Sequence, residues 1–281
     1  MGYFFMTFIL FVFFFLAKRL LHLYGIRCVE RMIKYHTFAQ KSFTSLMKDI
    51  IGTALLDYYN GNYSEDILTE TNISEEDELP LPYLFRTYKE MPKIEQMALK
   101  SVYGKTLDVG CGAGIHSLYL QERGLDVLGI DTSKGAIEVC RLRGLKNAKN
   151  IDLLELKNEK FDTILLLMNG TGIFQNLEST PKYLQHLSSL LNPNGQILID
   201  SSDLQYMYDS TEEGGILVPA DRYYGELEFK MRYKELESEY FEWLYLDENL
   251  FENICIENNL DFEVIARGDN FDYLARIVDQ Q

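Results

Sequence analysis

The hydrophobic and polar positions of the chain predict a long region in which strands and helices alternate. Strands are predicted over 106–110, 125–130, 148–151, 161–168 and 196–200, with helices over 115–121, 134–143 and 181–191. Residues 164–167 are continuously apolar, which is typical of a strand buried on both faces. This rhythm predicts an α/β fold with a mostly parallel sheet covered by helices.

The residues before this region predict a helical cap over 47–104. An amphipathic helix is expected over 47–60 and a second over 91–103, which ends at Gly104. Between them, residues 64–80 are acidic and polar, and we expect a loop or a lid there.

The pattern changes again after the fifth predicted strand. Residues 226–234 alternate between apolar and polar positions, and 240–246 also have the composition of a strand. Together they predict an antiparallel hairpin inserted at about 224–246. A helix over 247–258 and strands over 262–266 and 273–278 complete the main domain, 105–281.

The first 46 residues form a separate hydrophobic and basic extension. Residues 1–17 are apolar apart from Thr7, and Lys18 and Arg19 follow. That length is at the short limit for a membrane span, about 17–25 residues. No basic residue precedes the stretch and no cleavage signature follows it, which argues against a secretory signal.

Two interpretations of this extension stay open. It is either a membrane anchor that leaves the body on the cytoplasmic side, or an upstream extension that the functional protein lacks. The second is supported by Met47, which begins an ordinary amphipathic helix. Under either interpretation the body is expected in the cytoplasm, and only 1–17 would touch a membrane.

The net charge of the chain limits the kinds of molecule that it can be expected to bind. Residues 1–46 contain six Lys or Arg and one Glu, so the remaining chain carries a net charge of −21. A body this acidic repels nucleic acid. The expected partner is a small molecule, with a basic protein as the second choice. The four cysteines and four histidines are scattered, which argues against a disulfide framework and a metal site.

A glycine-rich loop carries the candidate chemistry. Gly110, Gly112 and Gly114 lie between a predicted strand and a predicted helix, and Asp108 comes two residues before the first glycine. Glycines allow a ligand to approach the backbone closely. The dinucleotide fingerprint requires glycine at 115, where this chain has Ile115. An NAD-dependent oxidoreductase therefore remains only as an alternative.

The segment 107–114 resembles motif I of the class I S-adenosylmethionine-dependent methyltransferases. Their Rossmann-like domain implies a doubly wound, mostly parallel seven-stranded sheet with helices on both faces. The resemblance continues over about 105–200, through 124–131, 150–153, 161–164 and 191–195. It implies S-adenosylmethionine as the cofactor. It also implies that Asp131 binds the ribose hydroxyls, that Asp152 accepts from the adenine amine, and that the Leu153 N–H meets the ring.

Further positions complete the candidate site. We expect Arg86 to pair with the cofactor carboxylate and Asn169 to lie near the methyl sulfonium. The expected cofactor-binding residues are Arg86, Asp108, Gly110, Cys111, Gly112, Gly114, Asp131, Thr132, Asp152, Leu153 and Asn169. The catalytic candidates are His116, Asn169 and Asp200.

The expected activity is methyl transfer to an acceptor that the sequence does not identify. Residues 168–172 lack the proline–aromatic signature of enzymes that methylate amino groups of nucleobases or glutamine. Besides the NAD-dependent alternative, a module that binds S-adenosylmethionine without catalysis is also compatible with the residues.

Overall fold

The computed structural model describes residues 49–209, 211 and 215–280. The α-helices are α1 (Ile50–Tyr59), α2 (Lys93–Ser101), α3 (Ile115–Glu122), α4 (Lys134–Leu142), α5 (Thr180–Ser189) and α6 (Glu248–Glu257). The strands are β1 (Ile67–Thr71), β2 (Asp77–Leu79), β3 (Thr106–Val109), β4 (Val127–Asp131), β5 (Ala148–Asn150), β6 (Phe161–Leu166), β7 (Leu191–Ser202), β8 (Glu226–Tyr233), β9 (Leu236–Glu237), β10 (Phe241–Leu244), β11 (Leu260–Arg267) and β12 (Asp272–Asp279).

The predictions for the N-terminal part of the chain can be compared with the structure only in part. The interpretations of residues 1–46 lie outside the described residues. Within the described ranges, no helix combines the length and hydropathy that crossing a bilayer would require.

A seven-stranded sheet forms the centre of the molecule, in the order β11-β12-β7-β6-β3-β4-β5. The five strands from β7 to β5 are parallel, whereas β12 runs antiparallel to both β7 and β11. At its centre, Leu107 pairs with Leu128 on one side and with Ile164 on the other. The predicted fold is confirmed.

Alternate residues of the central strands face opposite cores. Ile164 and Leu166 of β6 pack with side chains of α5 and α6. Leu165, which lies between them, packs with side chains of α2 and α3 on the other face. The unbroken apolar run of β6 is thereby explained, since both of its faces are covered.

A second, smaller sheet has the order β10-β8-β1-β2, with β9 also paired to β8. The predicted hairpin is confirmed, because β8 and β10 pair antiparallel with Phe229 opposite Phe241. The predicted loop over 64–80 is wrong in part. It contains β1 and β2, and β1 pairs with β8 through Thr69 and Met231. The segment before the main domain is therefore a helix and two strands joined to the hairpin, followed by α2.

The strand before the antiparallel edge is longer than predicted. β7 begins at Leu191, which pairs with Phe161, and not at Gln196. The preceding helix correspondingly ends at Ser189.

Helix α1 is fixed to the start of α4 by two close contacts. The Asp49 carboxylate caps α1 by accepting from Gly52 N and also accepts from Gly135 N, each at 2.9 Å. A Cβ on Gly135 would lie 2.5 Å from the backbone of Gly52. Helix α1 is therefore packed directly against the first turn of α4.

Candidate active site

The glycine loop is a tight turn held on the neighbouring strand. Gly110, Gly112 and Gly114 have φ of 69°, 51° and 80°, in the left-handed region that favours glycine. The N–H groups of Gly110 and Cys111 both donate to Ile130 O, at 2.9 and 3.0 Å. The turn is thus fixed where β3 and β4 end.

Asp131 lies directly against this turn. Its Oδ2 accepts from Gly112 N at 2.9 Å, and its Oδ1 accepts from Ser133 N at 2.8 Å. Burial raises the pKa of the Asp131 carboxyl, while the N–H groups of Ser133 and Gly112 lower it. The structure therefore brings the expected ribose ligand and the glycine loop together.

Asp108 is buried beneath the same loop. Only 1% of it is exposed, and the Ser117 hydroxyl donates to its Oδ2 at 2.6 Å. Burial raises the pKa of the Asp108 carboxyl, opposed by the charge of His116 and by hydrogen bonds from Ser117. Asp108 thus ties the end of β3 to α3.

The two ends of the loop differ in the space around them. A Cβ on Gly114 would lie 2.9 Å from Cys140 Sγ, whereas a Cβ on Gly112 would meet no atom of the described residues within 4 Å. Cys111 is buried with its Sγ 3.8 Å from Cys140 Sγ, so it fills the packed side of the turn. The open side is at Gly112, where a ligand can approach the backbone.

The end of the third parallel strand lies beside Asp131. The Asn150 side-chain amide donates to Asp131 O at 3.0 Å and to Thr132 O at 2.8 Å. Asp152 is exposed and caps the following turn by accepting from Leu154 N at 2.8 Å, and the Leu153 side chain is buried. Asp131, Thr132 and Asp152 thus follow one edge of the sheet.

The loop after β6 joins the two sheets. The Asn169 amide donates to Leu244 O at 3.2 Å, and the Thr171 hydroxyl donates to the same oxygen at 3.0 Å. Thr171 also shares a hydrogen bond of 2.8 Å with the Ser201 hydroxyl, which accepts from Leu246 N. The C-terminal end of β10 is therefore anchored at the carboxyl ends of β6 and β7.

The Asp200 carboxylate is hydrogen-bonded to the backbone of this loop. Its Oδ1 accepts from Gly170 N at 2.8 Å and its Oδ2 from Met168 N at 3.0 Å. The side chain is buried, and burial is the largest cause that raises the pKa of Asp200 to about 6, against the loop N–H groups that lower it. Asp200 thus positions the backbone on either side of Asn169.

Arg86 and His116 meet at an acidic residue that the sequence analysis missed. Arg86 Nη2 donates to both carboxylate oxygens of Glu95 at 2.6 Å, and Arg86 Nη1 donates to Tyr83 O at 2.6 Å. His116 Nε2 lies 2.9 Å from Glu95 Oε2. Burial alone would raise the pKa of Glu95, but the hydrogen bond and charge of His116, together with Arg86, hold it below its ordinary value.

Sequence contained one signal for Glu95. It lies in α2 next to Ile94 and four residues before Leu99, among the residues that α2 buries. A charged residue on the buried face of an amphipathic helix requires a partner of opposite charge. The pattern could therefore have marked Glu95, although not Arg86 or His116 as its partners.

The second sheet presents aromatic side chains near the Asn169 loop. Phe229 lies 6.1 Å from Phe241, 6.2 Å from Trp243 and 6.4 Å from Tyr245, measured between ring centroids. All four rings are half-buried, and Trp243 packs over Gly172. We call these four residues the aromatic wall.

Within the described ranges, no three His, Cys, Asp or Glu side chains are grouped closely enough to hold a metal ion.

The predicted site residues fall into three neighbouring groups. The glycine loop with Asp108, Asp131, Thr132 and Asp152 lies at the ends of β3 to β5. Asn169 and Asp200 lie at the ends of β6 and β7, and Arg86 is joined to His116 at the start of α3 through Glu95.

Comparison with known proteins decides the family. Residues 101–257 match the model of the methyltransferase domain family. The chain belongs to this family. A solved structure of a SAM-dependent methyltransferase from Bacteroides fragilis, in complex with S-adenosyl-L-homocysteine, is 40% identical with a TM-score of 0.78. The match covers 84% of this chain and 96% of that one.

Curated relatives match over a shorter segment. The ubiquinone biosynthesis O-methyltransferase of Pelagibacter ubique is 35% identical over 101 residues, which cover 34% of this chain and 40% of the relative. The enzyme of the same name from Pasteurella multocida is 31% identical over 115 residues, covering 34% of this chain and 46% of the relative. The chain thus spans less than half of the length of these curated relatives.

The protein is therefore a class I S-adenosylmethionine-dependent methyltransferase with S-adenosylmethionine as its cofactor. This assignment favours methyl transfer over the NAD-dependent and the non-catalytic alternatives.

Proposed function

We propose that this methyltransferase modifies a hydroxyl oxygen of a small, ring-bearing molecule. The observation that carries the proposal is the aromatic wall, which adjoins the loop after β6. The names of the curated relatives, which are O-methyltransferases, support oxygen as the attacking atom.

The residues at the sheet edge fit the cofactor. Gly112 leaves open space for the close approach of a nucleoside, and Asp131 keeps lone pairs that can accept from ribose hydroxyls. Asp152 and Leu153 follow along the same edge, where they suit the adenine. Arg86 suits the carboxylate, because its buried Nε has no partner among the described residues. We propose these residues, with Asp108 and Thr132, as the cofactor site.

The aromatic wall suits an apolar ring in the acceptor. Aromatic side chains bind rings by stacked or edge-on contacts worth about 0.5–1.5 kcal/mol each beyond burial. Trp243 packs over Gly172, three residues after Asn169, so a ring on this wall would lie beside the expected position of the methyl group. The net charge of the chain, −16, supports a small molecule over a nucleic acid.

The reaction is balanced without any further reactant. S-adenosylmethionine supplies a methyl group already activated on a sulfonium. A lone pair of the acceptor oxygen forms the new bond to the methyl carbon, the carbon–sulfur bond breaks, and the hydroxyl proton leaves to solvent. The chain contributes mainly alignment, which can be worth ~7–11 kcal/mol. Asn169 and Asp200 serve this alignment through the loop after β6.

A labelled-methyl assay tests this function. The protein is incubated with S-adenosylmethionine carrying a labelled methyl group and with phenols, aliphatic amines, a basic protein or RNA in parallel. We expect label in the phenols. Label confined to the basic protein or to RNA would contradict the proposal.

A substitution in the aromatic wall distinguishes binding of the acceptor from binding of the cofactor. Trp243→Ala should raise KM for the acceptor about tenfold, equivalent to about 1.4 kcal/mol, and leave KM for S-adenosylmethionine unchanged. Tyr240→Ala is the control, because Tyr240 adjoins the same strand and is 52% exposed. An effect of Trp243→Ala on the cofactor KM alone would count against the wall as an acceptor site.

A further inference from the structure

Arg86, Glu95 and His116 form a buried charged network. The side chains of Arg86 and Glu95 are 3% and 4% exposed, and that of His116 is 6% exposed. Removing charged groups from water is costly, and a buried ion pair is weak evidence for stability by itself. The geometry of this network therefore calls for a functional explanation.

The guanidinium of Arg86 keeps one N–H group without an acceptor among the described residues. Nη2 donates to Glu95 and Nη1 donates to Tyr83 O, whereas the buried Nε has no hydrogen-bond partner in the described part of the chain. An unpartnered buried donor costs free energy, and the cost is removed when a ligand accepts from it. The natural ligand for such a donor is a carboxylate.

The network is attached to the cofactor loop. His116 is the second residue of α3, which begins directly after Gly114, and its Nε2 lies 2.9 Å from Glu95 Oε2. The charge of His116 also acts on the buried Asp108 carboxyl. Glu95 is thus the link between Arg86 and the helix that starts at the glycine loop.

We propose that Glu95 is a positioning residue for cofactor recognition. Its carboxylate contacts both Arg86 and His116. These contacts orient the guanidinium so that Nε–H donates to the carboxylate of the cofactor's methionine group. This inference rests on the cofactor site proposed above.

Two ligands that differ only in that carboxylate provide the test. They are S-adenosylhomocysteine and its decarboxylated analogue, and calorimetry measures the Kd of each. The wild-type protein should prefer S-adenosylhomocysteine. Glu95→Gln should weaken its binding by about tenfold and leave the binding of the analogue within about twofold, so that the preference is lost. Glu138→Gln, at an exposed position of α4, is the matched control and should keep the preference.

A second variant covers the case in which Glu95→Gln does not fold. Arg86→Lys keeps the positive charge but lacks Nε–H and the planar fork. It should lose the same preference for the carboxylate, with the binding of the analogue unchanged.

The outcomes separate this inference from the proposed cofactor site. If the wild-type protein binds neither ligand, the cofactor site itself is wrong. If it binds both equally, or if Glu95→Gln weakens both to the same extent, the site stands and the role of Glu95 is overturned.

Discussion

Gly112 is the residue at which the loop leaves room for a ligand. Its φ is +51°, and a Cβ there would lie more than 4 Å from every atom in the part of the chain that the structure describes. Gly124 has the same properties, with φ of +85° and open space, but it follows α3 at the far end of that helix. Substitutions at these two glycines therefore distinguish the cost of backbone strain from the loss of contact with a ligand.

Gly112→Ala and Gly124→Ala should cost similar stability but differ in cofactor binding. Each places an alanine in the left-handed region, a cost of about 1–2 kcal/mol in the free energy of unfolding. Only Gly112→Ala should also raise the Kd for S-adenosylhomocysteine, by at least about tenfold. Urea denaturation and calorimetry measure the two effects. Equal Kd values for the two variants would mean that the cofactor does not approach Gly112.

Asp200 gives the site a pH dependence. Its pKa is raised to about 6 by burial, so acidification through that value protonates a carboxylate that accepts from two loop N–H groups. We expect kcat/KM to fall below about pH 6 in the wild-type protein. In Asp200→Asn the activity should be lower and the limb near pH 6 absent; a limb that persists in the variant would assign it to another group.

The contribution of Asp200 to stability should change with pH in the opposite direction to its effect on kcat/KM. Because the folded pKa of Asp200 lies above the unfolded value of 3.8, the folded protein binds the proton more tightly. The contribution of Asp200 to the free energy of unfolding therefore falls as pH rises from about 4 to about 6, and is constant above. In Asp200→Asn the free energy of unfolding, measured by urea denaturation between about pH 4 and pH 6, should lack this contribution to its pH dependence. The same pH dependence in the variant and in the wild-type protein would contradict the burial of an ionisable group there.

Single residues could be predicted from sequence where they and their partners belong to one recognisable motif. The glycine loop, with Asp131 close behind, belongs to one strand–helix–strand unit, and the structure joins Asp131 to Gly112. Asp49 and Glu95 were missed because no recognisable motif links them to their partners, which lie in other elements. Gly135 follows Asp49 by 86 positions, and His116 follows Glu95 by 21.

At the scale of elements, the contact between α1 and α4 depends on two glycines. A Cβ on Gly135 would lie 2.5 Å from the backbone of Gly52, and Asp49 accepts hydrogen bonds from the N–H groups of both. Helix propensity and packing therefore make opposite predictions for an alanine at position 135.

Gly135→Ala should destabilise the protein. Alanine is favoured over glycine in a helix by about 1 kcal/mol, but the overpacked contact should cost about 1–3 kcal/mol and push α1 away. We expect a net loss in the free energy of unfolding, measured by urea denaturation. Glu138→Ala, on the exposed face of the same helix, should have little effect. A Gly135→Ala variant more stable than wild type would show that α1 can move aside freely.

Elements with strong hydrophobic patterns could be predicted, and polar strands could not. The parallel strands β3, β4 and β6 were located from their apolar runs, since burial on both faces leaves that signature. β1 and β2 were missed because most of their residues are polar and only partly buried. They exist as strands because β8, more than 150 residues away, pairs with β1.

At the scale of the whole molecule, two sheets meet at one edge. The loop after β6 is bonded to Leu244 at the end of β10, which brings the aromatic wall next to the carboxyl ends of the parallel strands. The residues proposed to bind the cofactor line one part of that edge, and the aromatic wall lies at another part. Under the proposed function, one region of the fold would bind S-adenosylmethionine and a second would bind the ring of the acceptor.

The most direct measurement is a crystal structure of the full chain with S-adenosylhomocysteine. We expect ribose hydroxyls hydrogen-bonded to the Asp131 carboxylate, the backbone of Gly112 against the ligand, and the methionine carboxylate on Arg86 Nε. A well-defined ligand bound elsewhere, with Asp131 contacting only Gly112 and Ser133, would contradict this expectation.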